Sequence, residues 1–307
     1  MINGILLLDK PKNISSNKAL YIVKKKLSPK KAGIVGILDP LASGMLPIVL
    51  NEGTKLAKYS ENENKEYLVT AKLGYTSTTG DGEGTIIACK NSFSFQLTKK
   101  SLQEALNKFI GVQKQIPPMY SGLKVNGVKL YKLARQGISV KRESRDINIT
   151  DLEVISIDND EIFLRISCSK GTYIRTLVES IGDCLGTGAY TKNLRRIRIG
   201  SFQENEMISL DEVSVSQPKI ISLESITKNM LSISITDEQC RILRYGQTIY
   251  TKIYENIDEI ALKNPNSNLI GIGMIVNNYI HVKRLINFTE KRFVLDQTDD
   301  RILTLTE

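Results

Sequence analysis

Gly33-Ile34-Val35-Gly36-Ile37-Leu38-Asp39-Pro40-Leu41-Ala42-Ser43-Gly44-Met45-Leu46-Pro47 has three glycines and two prolines in fifteen residues and follows neither a helical nor an alternating period. Glycine and proline mark places where the backbone must turn. The run also carries Leu38, Leu41, Met45 and Leu46, so it reads as a structured loop seated on a core and not as a linker. Asp39 stands among these apolar residues. A carboxylate in apolar company is disfavoured unless a cation is supplied. Two readings are open: an Asx residue that initiates a turn before Pro40, or a functional acid. Composition alone favours the turn.

Outward from this loop the periods become regular. Ile5 to Leu8 reads as a short buried strand ending at Lys10-Pro11. Ser15 or Ser16 can cap a helix with Leu20, Val23 and Leu27 on one face and Lys24-Lys25-Lys26 at its C-terminus. Tyr67, Val69, Ala71 and Leu73 alternate as the apolar face of a strand. Thr98 caps an expected helix through Leu102, Ala105, Leu106, Phe109 and Ile110, closed by Gly111. After Pro117-Pro118, the stretch from Tyr120 to Arg145 is rich in lysine and arginine, with Tyr120 and Tyr131 between them. Ile162, Leu164, Ile166 and Cys168 alternate as another strand. A helix follows, with Ile174, Leu177, Val178, Ile181 and Leu185 inward and Gly186 at its end. The pattern weakens from Pro218 to Asp237. Asn277-Asn278 then marks a hairpin between two short strands. Strands with interspersed helices make the class α+β, that is, mixed α/β. We expect a catalytic domain over residues 1–234 and a small all-β appendix over residues 235–307.

Composition narrows the function. The chain has 307 residues, 42 Lys and Arg against 33 Asp and Glu, and a formal charge of +9, which suits a polyanionic partner. Cys89, Cys168, Cys184 and Cys240 show no Cys-x-x-Cys spacing, and His281 is the sole histidine, so neither a zinc site nor a disulfide framework is expected. His281 lies on an alternating strand and reads as structural. No phosphate-binding glycine motif is present, and Gly80-Asp81-Gly82-Glu83-Gly84 reads as a turn. The apolar run at the N-terminus is shorter than a secretory core, and no stretch is long enough to span a bilayer. A soluble cytoplasmic protein is the expectation.

Five ordered blocks make the sequence resemble the TruB family of bacterial tRNA pseudouridine-55 synthases. The loop around Asp39, preceded by Lys31-Ala32, resembles the family's catalytic motif. Leu6 to Pro11 with Ser15-Ser16-Asn17 is similar to its N-terminal block. Lys65-Glu66-Tyr67 with Leu73-Gly74, Thr76, Thr78 and Asp81 is similar to its second motif. Gln115 to Pro118 with Ser121, Lys124, Gly127, Leu130-Tyr131, Ala134-Arg135 and Gly137 resembles its RNA-clasping insertion, about residues 117–146 here. Cys168 to Arg175 with Leu194-Arg195-Arg196 resembles the last block. The likeness spans roughly residues 3–202, and the tail is similar to a PUA-type RNA-binding module.

This resemblance implies a mixed sheet with a central cleft and a β-rich appendix. It implies isomerisation of uridine to pseudouridine at position 55 in the T arm of tRNA, by a monomer without metal or organic cofactor. Asp39 matches the family's catalytic aspartate. Tyr67, Arg175, Leu194 and Lys10 match substrate-site positions: an active-site tyrosine, an aspartate-pairing arginine, a pocket leucine, and a lysine whose role we take as site-supporting. Lys124, Lys129, Lys132, Arg135, Arg195 and Arg196 are candidate RNA contacts. Breaking a glycosidic bond develops positive charge at C1′, which a carboxylate can stabilise or attack. The family's Gly-His-Thr/Ser-Gly run is Gly33-Ile34-Val35-Gly36 here, so two polar positions are apolar. A tRNA-binding module without catalysis, or an isomerase for another RNA, are the alternatives.

Overall fold

The computed structural model describes residues 2–61, 63–89, 98–214 and 219–287. Pro218, where the weak stretch was expected to begin, and residues 288–307 of the expected appendix lie outside the described residues. The chain divides into two compact units, residues 2–231 and residues from 232 onward.

The larger unit contains, in order, β1 (Gly4–Lys10), α1 (Ser16–Leu27), β2 (Ala32–Ile34), β3 (Ser43–Leu50), α2 (Ala57–Glu61), β4 (Lys65–Leu73), β5 (Tyr75–Ser77) and β6 (Ile86–Ala88). It continues through α3 (Lys99–Leu106), β7 (Gly111–Gln115), β8 (Lys124–Val125), β9 (Val128–Lys129), α4 (Leu130–Arg135), β10 (Arg145–Asp158), β11 (Glu161–Cys168), α5 (Ile174–Leu185) and β12 (Ala189–Ile199). Its main sheet runs β1-β3-β12-β4-β11-β10-β7, with β2 also paired to β3. Only the β3–β12 pair in this sheet is parallel, which makes it mixed.

The alternating strands bury one face as their sequence demands. Tyr67, Val69, Ala71 and Leu73 of β4, and Ile162, Leu164, Ile166 and Cys168 of β11, are all in the core. Helix α5 lays Ile174, Leu177, Val178 and Ile181 on the same core and ends at Gly186, whose φ of 71° is the left-handed C-terminal stop. Ser15 caps α1 by accepting from the Lys18 N–H.

The glycine-rich stretch expected to be a loop is only partly one. Residues Ser43–Leu50 form β3, buried at all eight positions, and Ala32–Ile34 form β2. Pro47 is tolerated in a central strand for a geometric reason. A strand residue points its nitrogen and carbonyl oxygen to the same side, and the Pro47 carbonyl accepts from Val35 N on the side away from β1. The missing N–H falls between the stretch of β3 that pairs with β12 and the stretch that pairs with β2. The ladder to β1 therefore loses no donor. Helix α3 is likewise shorter than expected. It ends at Leu106 and passes through one 3-10 turn, so Ile110 is extended and exposed and Gly111 opens β7.

The smaller unit holds β13 (Ser232–Ser234), α6 (Asp237–Arg244), β14 (Ile249–Tyr250), β15 (Ile257–Lys263), β16 (Leu269–Val276) and β17 (Tyr279–Leu285). It is β-rich but not all-β. Thr236 and Gln239 close a capping box that starts α6, a signal the expectation passed over. Asn277 and Asn278 both take positive φ in the β16–β17 hairpin, and His281 lies on β17.

The β3–β12 contact is close enough to test. Gly44 has φ +95°, and a Cβ there would sit 2.2 Å from the Arg196 carbonyl oxygen. Gly44→Ala should destabilise the larger unit by more than about 3 kcal/mol. An unchanged urea midpoint would refute this close approach.

Candidate active site

Between β2 and β3 the chain crosses residues 35–42, and every turn of that crossing is fastened. The Ser16 hydroxyl donates to the Leu38 carbonyl at 2.7 Å and accepts from the Leu38 N–H at 2.9 Å. The Gly36 carbonyl accepts from Arg196 Nη2 at 2.8 Å. Ala42 N–H donates to the Asp39 carbonyl at 3.1 Å, closing a turn with Pro40 in its second position. Asp39 is thus the turn residue that composition favoured. Its side chain remains for another task.

That side chain meets Arg175, whose Nε lies 2.9 Å from Asp39 Oδ2. Arg175 Nη1 donates to the Thr79 carbonyl at 2.7 Å and lies 3.4 Å from Asp81 Oδ2, while Nη2 donates to the Tyr120 carbonyl at 2.7 Å. Each of its three nitrogens is therefore engaged by a protein acceptor, and Arg175 holds Asp39. Asp81, read from sequence only as part of a turn and a motif, is a second carboxylate of this cluster. It is buried, and it also accepts from Thr79 Oγ1 and from the Glu83 N–H. Enclosure by protein pushes the Asp39 carboxyl above its ordinary value. Arg175 opposes the rise, Asp81 adds to it and Lys10 opposes it. The rise is bounded, because 38% of the Asp39 side chain still opens to the cleft.

The opposite wall comes from the sheet. Tyr67 and Arg196 are register partners on β4 and β12, with Leu194 two residues before Arg196, so the period of two places all three on one face. Tyr67 and Leu194 line the same cleft as Asp39, of about 800 Å³, a size fit for a nucleotide-sized ligand. Burial pushes the Tyr67 phenol up from 10.0, and a hydrogen bond with Arg196 opposes the shift. Tyr67 is thus a wall of the cleft that also carries a hydrogen-bonding hydroxyl. Of the two apolar residues at the altered run, Ile34 lines the cleft and Val35 is buried in the protein.

Lys10 takes the supporting place expected for it, and two expected RNA contacts are corrected. Lys10 is not a substrate ligand: it is fully buried, and Nζ donates to the carbonyls of Pro11 and Ile14 at 2.8 Å and of Pro40 at 3.3 Å. Burial lowers its pKa to about 8, with the nearby Asp39 charge opposing the shift. Arg196 is not a surface RNA contact. It is 2% exposed and is committed to the Met45 and Gly36 carbonyls. Arg195 grips Asp9 with two nitrogens, at 2.9 and 2.8 Å, and Glu204 with Nε, so its charge is already neutralised. The basic insertion behaves differently. Lys124, Lys132 and Arg135 are exposed and Lys129 is half-buried, and none of the four makes a carboxylate ion pair among the described residues. Lys129 and Arg135 lie 5.8 and 5.6 Å from the Tyr131 ring centroid.

A supporting Lys10 and a substrate-binding Lys10 predict different things. Lys10→Met leaves three carbonyls without their donor and should lower unfolding free energy by at least about 2 kcal/mol. Wild-type stability in urea titration would return Lys10 to the list of substrate contacts.

The comparisons agree on kinship. The TruB family pseudouridylate synthase N-terminal domain matches residues 24–174, and the tRNA pseudouridylate synthase B C-terminal domain matches residues 175–231. The chain is 40% identical over 298 residues to tRNA pseudouridine synthase B of Colwellia psychrerythraea, covering 89% of this chain and 92% of that one. It is 39% identical over 295 residues to tRNA pseudouridine synthase B of Coxiella burnetii (strain Dugway 5J108-111), covering 93% and 95%. The fold is also that of Cbf5 in a solved Cbf5–Nop10–Gar1 complex, at a TM-score of 0.70 and 23% identity over 92% of this chain and 84% of that one. An aspartate held by a buried arginine beside a tyrosine, on a chain alike over nine-tenths of its length, belongs to the TruB family of pseudouridylate synthases.

Proposed function

We propose that this protein isomerises uridine to pseudouridine at position 55 in the T arm of tRNA, with Asp39 as the catalytic carboxylate. The observation that carries the reading is the Asp39–Arg175 ion pair in a cleft walled by Tyr67 and Leu194. The reaction breaks the N1–C1′ bond and forms C5–C1′. The proton leaves C5 and N1 gains one, so no redox partner or co-substrate is needed. Positive charge grows at C1′ as the bond breaks, and a fixed carboxylate is suited to meet it by stabilisation, by attack, or by taking the 2′ hydrogen. Arg175 fixes the orientation of Asp39. Tyr67 and Leu194 offer flat and apolar surface to a base that must leave its stack to reach the carboxylate.

The exposed cations of the insertion suit the phosphate backbone of a folded RNA. Ser121, Gly122 and Leu123 at the base of that insertion line the same cleft, so a grip on the backbone would deliver the nucleotide beside Asp39. No helix among the described residues is long and apolar enough to cross a membrane. The reading carries with it a monomer working in the cytoplasm. A purely binding module has no use for a buried ion pair that costs desolvation, which counts against that alternative.

A tRNA transcript carrying 5-tritiated uridine tests the reaction. The wild-type protein should release tritium to water and leave pseudouridine at position 55. Asp39→Asn should bind the transcript as before and release tritium at least about a thousandfold more slowly. A folded wild-type protein that releases none would end the isomerase reading, and product mapped elsewhere would move its target.

The raised Asp39 pKa fixes a pH signature. The ionised form is the active one, so activity falls as pH drops through the pKa of the free enzyme. Because burial shifts that pKa upward, the acid limb of kcat/KM should have its midpoint above the ordinary carboxylate value of 3.8. A limb at or below that value would mean that Arg175 outweighs burial.

A further inference from the structure

The cleft has a second charged corner that the isomerase chemistry leaves unused. Arg145 belongs to the basic stretch by sequence, yet it lines the cleft as the first residue of β10. Its guanidinium lies 4.7 Å from the Tyr173 ring centroid, and Nη2 donates to the Gly171 carbonyl. Its Nε is buried and has no hydrogen-bond partner among the described residues. A buried guanidinium N–H without an acceptor is costly and uncommon in a folded protein. Two other features converge there. Helix α5 begins at Ile174, with no side chain capping its N-terminus and no acidic residue in its first turn. Lys170, Thr172 and Tyr173 line the same cleft, as does Asp146, which pairs with Lys114. An arginine, a lysine and the positive end of a twelve-residue helix form a setting for an anion with several acceptor oxygens.

The position of this corner suggests which anion. Tyr173, under Arg145, precedes by two residues the Arg175 that holds Asp39. The cation and the carboxylate are therefore fastened to one short segment at the mouth of α5. Arg175 and Arg196 are spent on protein acceptors, so they do not serve a phosphate. We propose that Arg145, with Lys170 and the first turn of α5, seats the RNA backbone phosphate adjoining the extruded nucleotide. This rests on the reading of the cleft as a nucleotide site. Arg145 is then a positioning residue. It registers the sugar over Asp39, and it is distinct in role from the exposed clasp of Lys124, Lys132 and Arg135.

A coupling experiment separates a phosphate contact from a structural arginine. T-arm RNAs are prepared with one neutral methylphosphonate linkage, placed 5′ or 3′ to the target uridine. With wild-type protein, one of the two placements should raise KM roughly tenfold or more, as expected for loss of a charge-assisted contact. With Arg145→Ala that placement should add no further penalty, and the dependence of log K on log salt should flatten by about one unit. If the penalty persists in full in Arg145→Ala, or if neither placement carries one, the phosphate seat is refuted. Arg145→Lys guards against misfolding, because it should recover part of the coupling and a thermal midpoint near wild type. The same RNAs bound to Asp39→Asn read the coupling in Kd without turnover. Coupling there with no tritium release from wild type would keep the seat and reject the isomerase, and turnover without coupling would do the reverse.

Discussion

One guanidinium organises the site. Arg175 ties Asp39, the turn at Thr79 and Asp81, the Tyr120 carbonyl at the root of the basic insertion, and its own helix α5. A buried arginine must find acceptors for its donors, and breaking such a set costs about 3–5 kcal/mol because a charge is left uncompensated. The cation is placed by apolar forces, since Ile174, Leu177, Val178 and Ile181 fix the rotation of α5 against the sheet. Packing of one helix face therefore determines where a carboxylate points in a loop more than a hundred residues away. The Thr79–Asp81 turn can approach only because Gly80, at φ +74°, takes a left-handed conformation next to Glu179 and Arg175.

The same economy governs the other inward cations. Arg196 spans the Met45 and Gly36 carbonyls, and Lys10 joins the Pro40 carbonyl of the Asp39 turn to the carbonyls of Pro11 and Ile14. Each replaces water for carbonyls that the loop leaves facing inward. The formal charge of +9 is thus a poor guide to where a polyanion touches the protein. Some of those charges are structural, and Arg195 is neutralised by Asp9 and Glu204. The insertion between β7 and β10 is one place where cations face solvent without a carboxylate among the described residues, as Lys124, Lys132 and Arg135 do; Lys24 and Lys25 at the end of α1 are others.

These commitments explain what could be read in the sequence. Elements built on one period were legible: α1, β4, β11, α5, and the hairpin at Asn277-Asn278. Each buries one face, and that face is written in the residue order. Strand β3 was not, because its signals are glycine and proline and its burial on both faces leaves no alternation to see. Asp39, Tyr67 and Leu194 were found through ordered motifs, and the fold brings them to one cleft. The roles of Arg195 and Arg196 were misread, and Asp81 was passed over. Sequence counts a charge but does not show which acceptor has already taken it. For Arg195 and Arg196 those acceptors stand nine to more than a hundred positions away.

The two readings of Asp39 turn out to be one device. The main chain uses the residue to open a proline turn, and closure of that turn by Ala42 fixes Cα and Cβ. The side chain then has little freedom left to lose when it meets Arg175 or a substrate, which is the advantage of preorganisation. The apolar residues beside it serve the same end. Ile34 lines the cleft where the family carries a histidine, Ile37 is 67% exposed on the loop, and Leu38 is buried next to the carboxylate. Apolar surface around a carboxylate lowers the local dielectric, which raises its proton affinity and strengthens its attraction to Arg175 together. Ile34, at the position where the family carries a histidine, adds to that apolar surface in the cleft. At that edge the cleft presents apolar surface where the family's motif has a ring that can hydrogen-bond.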